Sequence, residues 1–266
     1  MSIRRTTLAS ILLVLLNFNA TSYAHDPASD ELHFSHPLIT ESPSPDTKIR
    51  VDYFYRRIHE SEITKEHTPR VEFEYAFRPT FSIEANVPYT FRAVDGQPSV
   101  SHIDNIEVAV KLATFAFKKQ RLLPVYGVSL ELPSGSDQKE IGSGHIFQIE
   151  PYLGLGIKRE SFEIVGFSAV GILTNKDFGD EDFTHLSYQG SFLFKPTPDV
   201  MPLIEIDGET LLAGPERGDT VLNISPGIKF RPFHSDHWQV GASLGVPISE
   251  QEEFHARAVF AAFYHS

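Results

Sequence analysis

The 266-residue sequence contains no cysteine, which excludes disulfide bonds and chemistry that needs a thiol. Beyond the N-terminus it also lacks a run of about 18 apolar residues, so no transmembrane helix is expected. Basic residues are scarce, since 23 lysines and arginines stand against 35 acidic residues and the net charge is −12. An acidic chain is poorly suited to nucleic acid, and we predict no nucleic-acid partner.

The N-terminus has the composition of a secretory signal peptide. Arg4 and Arg5 precede the apolar stretch "LASILLVLL", and the small residues of "SYA" precede a cleavage position. We therefore predict a signal peptide over 1–24. Its removal makes the charge −14, because it takes away two arginines and no acid. Residues 25–47 are polar and contain proline, which predicts a periplasmic lead-in without regular structure.

The stretch "RVEFEYAFRPTFSIEANVPYTF" at 70–91 alternates apolar and polar residues in two runs separated by "RPT". Successive side chains of a strand point to opposite faces, so this period of two predicts a β-hairpin. Similar runs continue through residues 48–266, and roughly 9–13 residues are enough for a tilted strand to cross a bilayer. We predict an all-β fold, an antiparallel up-and-down transmembrane β-barrel of about 12 strands, within a range of about 10–14. The predicted strands cover 48–58, 70–78, 80–92, 105–117, 121–132, 145–157, 161–173, 185–195, 200–209, 220–230, 237–246 and 253–264.

The predicted connections alternate in length. Long ones such as "HESEITKEHTP" and "PSGSDQKEIGSG" alternate with short ones such as "RPT", "KKQ" and "KRE". Outer-membrane barrels have short periplasmic turns and longer outer loops, so the alternation favours this class over a soluble sandwich. Prolines inside the predicted strands argue the other way, because each removes a ladder donor. They are Pro88, Pro124, Pro151, Pro202 and Pro226.

Most predicted strands have one apolar face and one polar face. In the 70–91 hairpin, Phe73 is expected to face acyl chains, whereas Glu72 and Glu74 are expected to face a lumen. Charged residues at equivalent positions are candidates for the lumen lining, either as an ion-pair network that fills the barrel or as a polar path that sorts solutes. The candidates are Arg50, Asp52, Arg56, Glu72, Glu74, Glu84, Arg92, Glu107, Lys111, Glu131, Glu150, Glu205, Asp207 and Arg257.

Several motifs resemble a family of outer-membrane proteins described as transporters of the phenol meta-degradation (MetA) pathway. The similar pieces are "HPLITESPSPDTKIRVDYFY" at 36–55, "NIEVAVKL" at 105–112, "IEPYLGLG" at 149–156, "SPGIKFRP" at 225–232 and "WQVGASLGVPIS" at 238–249. The resemblance implies an outer-membrane location and passage of small, hydrophobic or aromatic molecules, and it supplies no catalytic residues. The final stretch "FHARAVFAAFYHS" resembles the strand recognised by the barrel-assembly machinery, although two residues follow the usual terminal aromatic position.

Two motifs could carry nucleophilic chemistry. "GASLG" at 241–245 matches a nucleophile elbow around Ser243, but small residues alternating along a strand explain it equally well. His185 and Ser187 share a strand face, where an imidazole could activate a hydroxyl. The pair resembles the His-x-Ser of outer-membrane phospholipase, without a matching asparagine. We predict that the protein is not an enzyme, with a barrel hydrolase as an alternative.

Twelve histidines raise the question of a metal site. His33 and His36 occur in "HFSH", His234 and His237 occur in "HSDH", and His25 would be the N-terminus after cleavage. None of these spacings is that of an established metal motif, so solvated histidines are expected. We predict no metal and no cofactor, with a periplasmic metal-related role as an alternative.

The sequence therefore predicts an outer-membrane channel for the passive passage of small molecules. The main alternative is a barrel with a filled lumen that has a structural or binding role. The expected partners are outer-membrane lipid, a small-molecule solute and the barrel-assembly machinery.

Overall fold

The computed structural model describes residues 32–59, 63–174, 184–214, 216–235 and 237–266. The predicted signal peptide and His25 lie outside the described residues. The strands are β1 (Lys48–His59), β2 (Ile63–Arg78), β3 (Phe81–Val94), β4 (Val100–Ile103), β5 (Ile106–Ala113), β6 (Leu122–Leu132), β7 (Phe147–Lys158), β8 (Phe162–Thr174), β9 (His185–Phe194), β10 (Val200–Leu211), β11 (Thr220–Phe230), β12 (Trp238–Pro247) and β13 (Ala256–His265). Short 3-10 helices cover Phe115–Gln120, Asp137–Lys139 and Pro232–His234. No helix of the described residues is long and apolar enough to cross a membrane.

The strands close into one antiparallel barrel. Strands that follow one another in the chain pair along the sheet, and β1 completes the ring by pairing with β13, from Lys48 opposite His265 to Arg57 opposite Ala256. Both β4 and β5 pair with β3, so together they occupy a single position in the wall. The wall thus has twelve strand positions, which confirms the predicted all-β up-and-down barrel.

Connection lengths differ between the two ends of the barrel. At the short-turn end, where β1 begins and β13 ends, connections include 79–80, 159–161 and 195–199. At the opposite end, called the loop end, they include 133–146 and 248–255. The alternation is only partial, because the short-turn connections 114–121 and 231–237 are about as long as 212–219 at the loop end. The predicted short turn "KKQ" is wrong, since β5 ends at Ala113 and Phe115–Gln120 form a 3-10 helix.

The first predicted loop, "HESEITKEHTP", is an exception, and the prediction there is wrong. Strand β1 continues to His59 and β2 already begins at Ile63, so most of the stretch is strand. Its charges do not mark a solvated loop, because Glu66 is buried and forms ion pairs with Arg56 and Arg92 inside the barrel. The predicted 70–91 hairpin is confirmed as the joined ends of β2 and β3.

The prolines lie inside strands, and local gaps in the pairing accommodate them. Pro88 lies where the partner of β3 changes from β5 to β4, and its carbonyl accepts the Asp104 N–H at 3.1 Å. Next to Pro226, the pairing of β11 with β12 is interrupted between Ile224 and Gly227. The missing donors therefore interrupt the ladder only locally and leave the strands intact.

The outer surface of the wall is apolar around the ring. Exposed side chains there include Val51, Ile83, Val128, Leu153, Ile172, Ile204, Ile228, Leu244 and Phe260. Aromatic pairs lie near the short-turn end: the ring centroids of Trp238 and Tyr264 are 5.1 Å apart, and those of Phe162 and Phe192 are 5.8 Å apart. An apolar band bordered by aromatic rings is typical of a barrel surface that faces lipid.

Candidate functional site

The N-terminal segment, defined as residues 32–47, lies inside the barrel and contains neither helix nor strand. Phe34 and Leu38 are fully buried and pack against interior side chains of the wall. Phe34 belongs to a cluster with Leu32, Ala113, Leu123 and Val165. Leu38 belongs to a second cluster with Leu193, Leu203, Ala261 and Phe263. The burial of these apolar groups stabilises the segment in place.

Two strand glycines make room for these side chains. A Cβ atom added to Gly156 would lie 2.6 Å from Cζ of Phe34, and one added to Gly241 would lie 2.7 Å from Cδ2 of Leu38. Real Cβ atoms do not approach other atoms this closely. The wall is therefore shaped to the segment at both points.

Buried charges of the wall bind the backbone of the segment. The Glu205 carboxylate accepts the N–H groups of Leu38, Ile39 and Thr40 at 3.1, 2.9 and 2.8 Å. Glu163 accepts the Ser35 N–H at 2.8 Å. In the other direction, Lys229 donates to the carbonyl of His36 and Arg50 donates to that of Leu38. An irregular backbone inside a barrel needs such partners, and charged groups supply stronger ones than neutral groups.

A buried ion-pair cluster lies beside the segment on β1, β2, β3 and β5. The ammonium group of Lys48 lies 2.6 Å from both Glu72 and Glu74. Lys111 lies 3.2 Å from Glu74 and 3.5 Å from Glu84. The cations and carboxylates alternate in space, so burial leaves no charge of this cluster isolated from a partner of opposite sign.

A second group of ion pairs continues the network toward the loop end. Asp52 lies 2.7 Å from both Arg50 and Arg70. Arg56 and Arg92 bind Glu66 from opposite sides. An ion-pair network was one of the two alternatives predicted for these charges. Ion pairs of this kind connect β1, β2 and β3.

A polar cavity of about 410 Å³ remains open at the loop end. Its walls come from β9, β10 and β11 and from the connections 212–219 and 248–255. Acidic side chains dominate the lining: Asp207, Glu209, Glu216, Asp219, Glu252 and Glu253. Arg257 lies beside the cavity and pairs with Asp207. This concentration of carboxylates gives the cavity a negative potential.

The structure divides the predicted lumen-lining residues among different roles. Arg50, Asp52, Glu72, Glu74, Glu84 and Lys111 are buried in the ion-pair network, and Glu205 holds the segment. Others bind neighbours in the wall: Glu107 accepts from Ser129, Glu131 from Asn105, and Glu150 contacts His185. Of the candidates, Asp207 lies at the cavity. Contact of these residues with a passing solute stays a prediction.

Sequence reasoning missed several interior residues. Lys48 begins the first predicted strand, and Glu66 and Arg70 lie in or beside the stretch that the sequence predicts as a loop. Glu163 lies on β8, where apolar or small residues occupy both faces of the predicted strand. Their position on the same alternating face as the other charges was the available signal.

The two nucleophile motifs show no catalytic arrangement. Ser243 lies within β12 and pairs with Gly227 and Val259 on either side, so no strand-to-helix turn exposes it. The Nε2 atom of His185 lies 3.0 Å from Glu150, and Nδ1 lies 3.7 Å from Glu209. Both ring nitrogens thus face carboxylates, which does not favour the hydrolase alternative.

Three imidazole rings surround one carboxylate oxygen at the short-turn end. Oδ2 of Asp46 lies 3.2 Å from Nε2 of His33, 3.1 Å from Nε2 of His36 and 2.7 Å from Nδ1 of His265. The prediction that His36 is solvated is wrong, because it is fully enclosed, whereas His33 keeps 47% of its side chain exposed. No spacing motif could reveal this group, since His265 lies at the other end of the chain.

The surroundings set the charges of this group. Burial by itself would raise the pKa of Asp46, but hydrogen bonds from His265, His33 and His36 hold it well below its usual range. Burial and the nearby Lys48 hold the pKa of His36 well below its usual range. At neutral pH Asp46 is therefore an anion and His36 is uncharged.

The closed wall, the outer apolar band and the polar interior define a twelve-stranded barrel of the outer-membrane type. No family model and no curated protein matches the chain. Among solved structures it is similar to an outer membrane channel from Pseudomonas putida F1, with 12% identity, a TM-score of 0.67, and coverage of 90% of this chain and 99% of that one.

Two porins are also similar in structure. The NanC porin shares 7% identity with a TM-score of 0.55, covering 83% of this chain and 99% of that one. The KdgM porin, solved in complex with disordered oligogalacturonate, shares 12% identity with a TM-score of 0.52, covering 82% and 99%. At such identities the likeness shows the fold alone, and the resemblance to the MetA-pathway family stays a prediction.

Proposed function

We propose that the protein is an outer-membrane channel for the passive passage of small molecules. The observation that supports this most is the acidic cavity at the loop end, which leaves part of a closed barrel accessible to solutes. A barrel whose only role was structural would gain nothing from a negatively charged cavity, since like charges repel one another.

The solute class is a finer part of the proposal. Small hydrophobic or aromatic molecules are implied by the family resemblance, whereas the acidic lining supports polar solutes and, among ions, cations. Electrostatic attraction concentrates cations at such a mouth and repels anions. We therefore propose a small solute without a negative charge.

A filled barrel with a structural or binding role is the second candidate, and the N-terminal segment favours it. Residues 32–47 occupy the interior toward the short-turn end and are held by Glu205, Glu163, Lys229 and Arg50. If the segment stays in place, a solute has to pass beside it. If it leaves, the full width of a twelve-stranded lumen becomes available.

Conductance of the purified full chain in a planar bilayer tests the proposal. A channel gives discrete current steps, and Glu205→Ala, which weakens the hold on the segment, is expected to increase the open fraction or the step size. Glu131→Ala provides the control, because Glu131 bonds to Asn105, which lies outside the segment. Absence of current steps for both the wild type and Glu205→Ala would refute the channel and favour the filled barrel.

A further inference from the structure

The imidazole group at the short-turn end has the donor set of a transition-metal site. His33, His36 and Asp46 each offer one ligand atom, and these three atoms lie within 4.8 Å of one another. His265 adds a fourth donor, since its Nδ1 lies 2.7 Å from the same Asp46 oxygen. Imidazole nitrogen and carboxylate oxygen are both established ligands of zinc.

The distances from Asp46 to the three ring nitrogens are close to what a tetrahedral ion requires. Bonds of about 2.0–2.1 Å place the ligands of tetrahedral zinc about 3.3–3.4 Å apart. The separations between Asp46 Oδ2 and the three ring nitrogens are 3.2, 3.1 and 2.7 Å. His265 lies outside the set of donor atoms that are all within 4.8 Å of one another, so its ring has to rotate toward His33 and His36 before all four ligands can bind one ion.

Hydrogen bonds alone account poorly for this arrangement. A carboxylate oxygen offers about two lone-pair positions, yet three imidazole nitrogens converge on Oδ2 of Asp46. The other oxygen of Asp46 accepts the Thr47 N–H at 2.8 Å. Moreover, Nε2 of His265 is buried with no hydrogen-bond partner in the described part of the chain. If an ion were bound, Oδ2 of Asp46 and the three imidazole nitrogens would all be its ligands.

Metal binding requires the side chain of Lys48 to move away from His36. Its Nζ lies 3.1 Å from Nδ1 of His36, which places the proton of His36 on Nε2 when no metal is bound. For Nε2 to ligate, this proton moves to Nδ1, and Lys48 turns to Glu72 and Glu74, each already 2.6 Å away. The positive charge of Lys48 is thus neutralised without His36.

We infer that His33, His36, Asp46 and His265 form a binding site for a divalent transition-metal ion, with zinc as the ion to test. The partial exposure of His33 gives the ion access from the short-turn end. Three ligands belong to the N-terminal segment and one to β13, so the ion ties the segment to the wall. Metal binding at this group is independent of solute passage through the barrel.

Zinc binding to the purified full chain, prepared without a histidine tag, tests the site. Isothermal titration with Zn²⁺ alone measures stoichiometry and affinity, and visible absorption after loading with Co²⁺ reports tetrahedral coordination. The main variant is His33→Ala, because this partly exposed side chain is not needed for packing. His234→Ala is the matched control, since His234 lies 2.6 Å from Asp199 near the same end and outside the group. A second control, His25→Ala, removes the histidine that is predicted to start the mature chain.

The expected result is one Zn²⁺ per wild-type chain, at least about tenfold weaker binding in His33→Ala, and unchanged binding in both controls. Retained heat-modifiable migration on a gel shows that each variant is folded. Absence of zinc binding by the wild type would overturn the inference. Equal binding by folded His33→Ala, or loss of binding in His25→Ala, would also overturn it, because the ion would then bind elsewhere.

Discussion

Glu205 lies 165 residues beyond Thr40 in the chain, yet its Oε1 atom accepts the Thr40 backbone N–H at 2.8 Å. The same carboxylate accepts the N–H groups of Leu38 and Ile39. A single side chain of β10 therefore satisfies three successive donors of an irregular segment. This contact makes the N-terminal segment part of the barrel interior.

The first prediction concerns this anchor. Glu205→Ala leaves three buried N–H groups without their acceptor, and hydrogen bonds to charged groups contribute about 1.5–3 kcal/mol each. We expect the N-terminal segment to leave the lumen more often and to be cleaved faster by protease from the short-turn side. Glu131→Ala removes a partly buried carboxylate that bonds to Asn105, outside the segment, and should leave the cleavage rate unchanged. Equal rates in both variants would show that Glu205 does not hold the segment.

The second prediction uses two glycines of the wall, Gly156 on β7 and Gly190 on β9. Gly156→Ala places a methyl group 2.6 Å from the Phe34 ring, whereas the nearest atom to a Cβ on Gly190 is 3.7 Å away. Overpacking typically costs about 1–3 kcal/mol, so Gly156→Ala should loosen the segment and Gly190→Ala should change little. Protease cleavage within 32–47 measures the difference. Similar resistance of the segment to protease in both variants would contradict the contact between Phe34 and Gly156.

The third prediction tests the lipid face. Leu153 is 69% exposed in the middle of β7, and Gln189 lines the acidic cavity from β9. Leu153→Arg places a charge in acyl chains and should cost about 2–4 kcal/mol near the midplane. Gln189→Arg places the same charge among carboxylates and costs only the hydrogen bond that Gln189 accepts from the Glu41 N–H at 3.2 Å, so its effect should be smaller. Heat-modifiable migration and the free energy of unfolding in detergent measure the effect, and comparable losses would mean that the two faces are misassigned.

The fourth prediction concerns ion preference. Carboxylates of the cavity should attract cations, so the reversal potential in a salt gradient is expected to show cation preference. The double variant Glu209→Gln with Asp219→Asn removes two of these charges and should shift the reversal potential toward zero. Glu140→Gln removes a charge that is exposed at the loop end and lies outside the cavity lining, so it should have little effect. Anion preference in the wild type would refute the electrostatic argument.

The fifth prediction is topological, and the absence of native cysteine makes it straightforward. Asp95 is exposed at the loop end and Lys119 is exposed at the short-turn end. If the loop end is extracellular, a membrane-impermeant maleimide should label Asp95→Cys on intact cells and label Lys119→Cys only after the outer membrane is permeabilised. The opposite pattern would reverse the orientation, and protection of both until permeabilisation would contradict an outer-membrane location.

The alternation of apolar and polar residues was sufficient to predict the wall. A strand places successive side chains on opposite faces. Neighbouring residues such as the exposed Val51 and the buried Asp52 therefore show which face is apolar and which faces the polar interior. The lengths of the connections also favoured an outer-membrane barrel, because short turns and longer loops were predicted at opposite ends. The prediction was wrong between β1 and β2, because the pattern of charge resembles a solvated loop when Glu66 is considered without Arg56 and Arg92.

Local periodicity thus predicted an antiparallel barrel with a lipid face and a charged interior, because both properties depend on the spacing of apolar residues along each strand. The contacts made inside the barrel became apparent from the folded chain. Folding brought Glu205 to residues 38–40, placed Phe34 against Gly156, and joined His265 to Asp46. These contacts depend on which residues meet after the strands close into a ring. Because the partners are far apart in the sequence, local patterns cannot predict them.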